Sequence, residues 1–358
     1  MDYKQKLNDL LLTAAQQNAS DLHLAVGKYP TIRVDGNLIP LENESILTPE
    51  IAENLIMEIL TPEQKEILKR DKELDLSYKY EDKARFRVNV FHQKGYLAAA
   101  LRLILSQIRT IEELNLPPIL HDFTKISQGF VLIVGPAGHG KSTTLAALVD
   151  EINHARSEHI ITIEDPVEYS FNQDKSIVSQ REVKIDTIDF SLALKSILRQ
   201  DPDVVMIGEM RDPDSISTAI TAAETGHLVF STLHTNSASQ TIDRIIDSFP
   251  AEQQGQISSQ LAATLVGIVS QRLIPKIDGG GRIPACEIMI NNSAIRNLIR
   301  ERKSYQIDLV IETSMQEGMM TLNRSLAMLV KTNQIALEQA ELYSLNPGEL
   351  RILLERNK

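Results

Sequence analysis

The sequence predicts an α/β protein of two units, a small α+β unit followed by a larger one built on a mainly parallel sheet. Three observations point there. From residue 130 onward, short apolar runs recur, each followed by a polar cluster. A helical period separates the first two runs. Between the two halves the pattern weakens around Arg109, and Pro117-Pro118 bars a continuous helix. A chain of 358 residues exceeds what a single core usually organises, so the expected division is residues 1–108, a linker at 109–118, and residues 119–358.

In chain order, residues 1–15 mix Asp2, Lys4, Lys6 and Asp9 with leucines, as an amphipathic helix does. They lack the basic and then apolar pattern of a leader segment. Short helical and strand-like patterns follow, with a turn signal at Val34-Asp35-Gly36-Asn37. In the second half the apolar runs are residues 130–134, 160–163, 204–207 and 228–230. Runs this short and rich in β-branched residues suit strands buried on both faces of a parallel sheet. Leu145, Leu148, Val149 and Ile152 recur at helical spacing between the first two.

Ligands of such sheets gather at the carboxyl ends of the strands, which makes the polar residues after each run the candidates for a site. The first cluster, Gly135-Pro136-Ala137-Gly138-His139-Gly140-Lys141-Ser142, fits GxxxxGK[ST] between a strand and an amphipathic helix and is followed by Thr143. Glycines let the backbone curl so that N–H groups face phosphates. Lys141 would reach the β- and γ-phosphates of ATP, and Ser142 would ligate Mg²⁺. In residues 163–169, Glu164, Asp165 and Glu168 crowd together, as an acidic site for an attacking water would require; Glu168 is the favoured base and Glu164 the second. A solvated turn around Pro166 is the plainer reading. After the third run, Glu209 ends an apolar strand in the manner of a Walker B acid that supports magnesium or its waters, while Asp203, ahead of that strand, is less well placed. His227 and His234 flank the fourth run, and either could hydrogen-bond a γ-phosphate.

Bulk composition narrows the function classes. A net charge of −11 opposes non-specific binding to nucleic acid. No apolar run approaches the ~18 residues of a membrane span, so the sequence predicts a cytoplasmic protein without direct membrane insertion. Cys286 is the sole cysteine, which excludes an internal disulfide and a cysteine-cluster zinc site.

Taken in order, these segments resemble the Walker A, Asp box, Walker B and His box of the hexameric secretion ATPases of type II secretion and type IV pili. ASDLHLAVG at residues 19–27 and ARFRVN at 84–89 resemble that family's N-terminal domain. GEMRD at 208–212 and AETGHLVFSTLHT at 223–235 resemble its core. The chain lacks the longer N-terminal region and four-cysteine motif typical of extension and secretion motors, and AIRNLIRE at 294–301 resembles the PilT-type retraction ATPases. By pattern alone that segment is an amphipathic helix with Ile295, Leu298 and Ile299 on its buried face.

The resemblance implies an N-terminal PAS-like domain, a RecA-like ATPase domain with a helical C-terminal region, and a homohexameric ring. ATP and Mg²⁺ would bind between the domains, with Arg85, Arg87 and Arg102 approaching the phosphates. It further implies ATP hydrolysis to ADP and phosphate that drives pilus retraction and twitching motility. The location implied is the inner face of the cytoplasmic membrane, on an inner-membrane platform protein. Departures are Ala137 and His139, where the family's loop usually has Thr and Ser, and Lys94, where an arginine is common before Gly95. His139 could add a pH-dependent charge near the phosphates. Alternatives are a related secretion or extension ATPase, a regulatory nucleotide-binding module without power output, and a nucleic-acid translocase, which the acidic charge disfavours.

Overall fold

The computed structural model describes residues 2–17, 19–34, 36–80, 84–104 and 107–355. Of the turn expected at residues 34–37, Asp35 lies outside them. Two compact units result, Met1–Gln107 with Pro166–Ser170, and Ile108–Asp165 with Phe171–Lys358.

In the first unit, helix α1 (Tyr3–Gln16) precedes strands β1 (Asp21–Leu24), β2 (Thr31–Val34) and β3 (Asn37–Pro40). Helices α2 (Pro49–Met57) and α3 (Pro62–Asp71) follow, then strands β4 (Glu73–Tyr80), β5 (Ala84–Gln93) and β6 (Tyr96–Ile104). The sheet is antiparallel throughout, in the order β3-β2-β1-β6-β5-β4. Its core-facing residues include Phe86, Val88, Val90 and Leu101, which pack with Leu7, Leu10 and Leu11 of α1 and Leu55 and Ile56 of α2. Alternation along β5 puts Arg85 and Arg87 on the opposite face from Phe86 and Val88. Both helices α2 and α3 begin with a threonine cap followed by proline, the pairing that satisfies a first-turn N–H and presets φ.

The second unit opens with Ile108 and residues 109–118, for which the sequence predicts a linker. They belong instead to this unit's packing: Ile111 and Leu116 are buried, and Thr110 and Glu113 exchange hydrogen bonds between side chain and main chain in a turn. The prolines stop a helix there, as expected, but the apolar residues between them and Arg109 still seek burial.

Helix α4 (Leu120–Lys125), strand β7 (Gly129–Val134), helix α5 (Lys141–Ala155), strands β8 (His159–Glu164) and β9 (Ile177–Glu182), helix α6 (Phe190–Ile197) and strand β10 (Val204–Ile207) come next. They are followed by helix α7 (Pro213–Glu224), strand β11 (Leu228–Leu233), helices α8 (Ala238–Asp247) and α9 (Ala251–Thr264), and strands β12 (Leu265–Pro275) and β13 (Arg282–Ile290). The seven strands form one sheet, β13-β12-β7-β11-β10-β8-β9, parallel except for β13 at its edge. Every residue of β7, β10 and β11 is buried, as their uninterrupted apolar sequences require.

Helices α10 (Ser293–Arg300), α11 (Ile307–Thr313), α12 (Leu322–Lys331), α13 (Leu337–Tyr343) and α14 (Pro347–Glu355) complete the chain. AIRNLIRE forms α10: Asn292 caps it, Ile295 and Ile299 are fully buried, and Arg296 and Arg300 are exposed. Each of those isoleucines contributes about 1.5–3 kcal/mol through burial. None of the helices is long and apolar enough to cross a membrane among the described residues.

Candidate functional site

Strand β7 ends at Val134, and the chain turns through a loop whose backbone only glycine adopts readily. Gly135, Gly138 and Gly140 all have positive φ, at 147°, 76° and 80°. Gly135 is doubly constrained, because a Cβ there would lie 2.4 Å from the Gln271 carbonyl oxygen of neighbouring β12. Such close approach of loop to strand tolerates no side chain. Gly140 then caps α5 with its backbone alone and no side-chain hydrogen bond. The first-turn N–H groups and the positive end of the helix dipole are thereby presented together, the arrangement that takes up a phosphate.

Lys141 is buried. Its Nζ donates to the Gly135 and Pro136 carbonyl oxygens at 2.9 Å each and lies 3.3 Å from His234 Nδ1. His234 Nε2 in turn lies 3.5 Å from Glu209 Oε2, and Glu209 pairs with Arg211. Lysine has no acceptor, so His234 accepts at Nδ1 and carries its proton at Nε2, toward the carboxylate. The Glu209 carboxylate holds the Arg211 guanidinium above its ordinary pKa. Three strand ends, those of β7, β10 and β11, thus supply one connected array of Lys141, His234, Glu209 and Arg211.

Glu164, the last residue of β8, is buried, and its Oε1 accepts from Thr162 Oγ1 at 2.7 Å and from Gln180 Nε2 at 3.2 Å. Hydrogen-bond donors of this kind fix the direction of a carboxylate. Glu168 falls in the first unit, where Pro166–Tyr169 line a cleft of about 150 Å³ with Arg87 and Arg102. Arg87 and Arg102 are direct cross-strand partners, and Arg85, two residues along β5, shares their face. Arg102 Nε donates to Asp21 Oδ1 at 2.9 Å and Arg85 Nε to Ser77 Oγ at 2.8 Å.

His227 is not at the phosphate end. Its carbonyl accepts from Gly129 N–H at the start of β7, and its Nδ1 lies 2.8 Å from the Ala222 carbonyl oxygen. The whole of β11 separates it from His234, and at about 3.3 Å per residue that is close to 20 Å. Residues flanking a strand sit at opposite edges of the sheet, which proximity in sequence conceals. Asp203 sits at this far edge as well, accepting from His159 N–H at 2.8 Å.

His139 also differs from expectation. Its Nδ1 accepts the Leu273 N–H at 2.9 Å, and burial followed by the positive charges of Arg272, Arg282 and Lys141 lowers its pKa from the ordinary 6.5. It is a neutral anchor and adds no charge for phosphate. Gln271, which no sequence motif marked, is buried in β12. It donates from Nε2 to the His139 carbonyl at 2.8 Å and accepts at Oε1 from Thr144 at 2.8 Å. A cavity of about 540 Å³ opens beside the loop, lined by Gly138, Gly140, Thr143, Gln271, Arg282 and Asn115 among others.

For a metal, the candidate donors would be the Ser142 hydroxyl in the first turn of α5 and the Glu209 carboxylate. Both are hard oxygen donors of the kind Mg²⁺ prefers. No group of three or more His, Cys, Asp or Glu able to hold a metal occurs among the described residues.

Comparison with known proteins places this geometry. Residues 3–345 match the family model described as "Type II/IV secretion system protein". The chain is 47% identical over 339 residues to the type IV pilus retraction ATPase PilT of Pseudomonas aeruginosa, covering 93% of this chain and 96% of that one. It is 44% identical over 331 residues to the twitching motility protein of Neisseria gonorrhoeae, with 92% and 88% covered. Among solved structures, that of the pilus retraction motor PilT with bound ADP superposes with a TM-score of 0.90 at 45% identity, covering 96% and 98% of the two chains.

Proposed function

The chain belongs to the type II/IV secretion system protein family, and we propose that within it this protein is the motor ATPase that retracts type IV pili. The observation that carries the reading is a complete phosphate loop, with Lys141 in contact with His234 and through it Glu209, in a chain alike over nearly its whole length to a retraction motor with bound ADP.

ATP would place its β- and γ-phosphates against the N–H groups of residues 138–143 and the Lys141 ammonium. Mg²⁺, held by Ser142 and, through water, Glu209, would supply counter-charge to the phosphates. Glu164 is the better base for the attacking water, because its carboxylate is oriented by Thr162 and Gln180 while that of Glu209 is committed to Arg211. His234, which bridges Lys141 and Glu209, is suited to pass the loss of a γ-phosphate held by Lys141 on to Glu209. Glu168 stays a second candidate for the base, and His227, at the opposite end of β11 from His234, has no part in this array.

Arg85, Arg87 and Arg102 would stabilise charge on the transferring phosphoryl group. Support comes from Arg85, Arg87 and Arg102 sharing one face of the sheet, with Arg87 and Arg102 directly opposite one another. The functional unit would be a homohexamer at the inner face of the cytoplasmic membrane, working on an inner-membrane platform protein.

Steady-state hydrolysis by the purified protein tests the enzyme, and deletion of the gene tests the task. Cells that stay piliated but cannot retract support retraction. Loss of pili altogether would assign the protein to extension.

A further inference from the structure

We propose that His139 is a positioning residue, a neutral clasp between the phosphate loop and β12 that sets the loop in its phosphate-binding conformation before nucleotide arrives. The inference rests on the ATPase reading above and deepens it.

The loop is held to β12 from both sides of residue 139. The imidazole Nδ1 accepts from Leu273 N–H at 2.9 Å, and the His139 carbonyl accepts from Gln271 Nε2 at 2.8 Å. One residue further back, the Gly138 carbonyl accepts from Arg282 at 3.2 Å. Gln271 also takes the Thr144 hydroxyl, which fixes β12 to the first turn of α5 at the same point. Behind the ring, Tyr343 of α13 packs edge-on, with centroids 6.1 Å apart and planes at 70°. Aromatic contacts of this geometry fix the orientation of a ring. The imidazole thus has one face of its freedom removed by Tyr343 and its nitrogen committed to a strand N–H.

Acceptance at Nδ1 requires the unprotonated ring. The groups that face it are Arg272 of β12, Arg282 of β13, Lys141 of α5 and Tyr343 of α13, and the three cations with burial favour the neutral form. A loop with three positive-φ glycines has many conformations open to it when unrestrained. A clasp that selects one of them lowers the ordering cost of binding. It leaves the chemical step alone, because nothing on His139 reaches the carboxylates or His234.

The test compares wild type, His139→Leu and His139→Asn in ATP hydrolysis, with thermal melting to check folding. Asn keeps an acceptor in place of Nδ1, whereas Leu keeps bulk without one. Loss of one buried acceptor predicts a KM about tenfold higher in the Leu variant with kcat nearly unchanged, and recovery of most of that loss in the Asn variant. A Leu variant with wild-type KM overturns the proposal, as does an Asn variant as impaired as Leu. Should Leu fail to fold, Asn alone decides: a KM within about threefold of wild type supports the acceptor role, and a larger rise refutes it. Wild-type protein that does not hydrolyse ATP would instead overturn the ATPase reading, so the two failures are distinct.

Discussion

Lys141 and His234 lie 3.3 Å apart, Nζ to Nδ1, although 93 residues separate them in sequence. The contact joins the start of α5 to the end of β11 and orients the imidazole with its N–H toward Glu209. Removing the imidazole breaks the link between the phosphate-binding lysine and the Walker B acid. His234→Ala is expected to lower kcat by about a hundredfold, with a smaller change in KM, as loss of the bridge that holds Lys141 and Glu209 in one array would. Steady-state kinetics checks this. A change confined to KM would restrict His234 to ground-state binding.

Glu164 and Glu209 divide the work of base and metal support, and the isosteric amides separate them. Glu164→Gln is expected to lose at least about a hundredfold in kcat while still binding nucleotide with magnesium. Glu209→Gln, by contrast, is expected to need more magnesium for half-maximal rate. Titration of rate against Mg²⁺ distinguishes them, and identical magnesium curves for both variants would undo the division of labour.

Arg87 and Arg102 are cross-strand partners of like charge. If they exist to meet phosphate, Arg87→Ala should lower hydrolysis by about tenfold or more while leaving the fold intact, since Arg102 is already paired with Asp21. Activity and melting temperature measured together check this. Full activity with unchanged melting would make the arginine a plain surface residue.

Glu287 sits in β13, buried, accepting the Ala238 N–H at 2.7 Å at the start of α8. Burial raises its pKa from 4.5 to about 7. The folded chain therefore keeps this proton up to about pH 7 and the unfolded chain only to 4.5, so stability falls as pH rises through that window. Glu287→Gln retains an oxygen for the Ala238 N–H and removes the titration. At about pH 8 it should be more stable than wild type by up to about 3 kcal/mol, with the gain fading toward pH 4.5. Urea unfolding at several pH values measures this; parallel pH dependence in both proteins would show that Glu287 does not titrate so.

Much of this architecture is legible in the sequence because burial on both faces leaves a plain mark. Strands β7, β10 and β11 are uninterrupted apolar runs, and the glycines and lysine between β7 and α5 have a spacing that few other roles demand. Strands β9, β12 and β13 are harder to read. The first is a polar edge strand, ending in Gln180, Arg181 and Glu182, and β12 carries Ser270, Gln271 and Arg272 where a core strand is expected to be apolar. The polar side chains of β12 serve the loop and Asn236 just after β11, a purpose that only the fold reveals. The misplacement of His227 has a similar cause. Its motif is continuous in sequence, but a strand runs through the middle of it. The stretch at 109–118 reads as a linker because proline forbids helix, yet it does not forbid burial, as Ile111 and Leu116 demonstrate.

The order of strands has a bearing on how the protein is made. β7 is central, and its partners on either side are β11 and β12, with Phe130 pairing to Val229 and to Leu265. The loop after β7 is held by Gln271 and Leu273, which are synthesised much later than the loop itself. Contacts so distant in sequence form late because chain closure must precede them. On the ribosome, the glycine-rich segment emerges long before anything can shape it. The loop's bonds to Gln271 and Leu273 can form only once β12 has left the exit tunnel, while Met289, Ile295 and other residues of the same core are still to come.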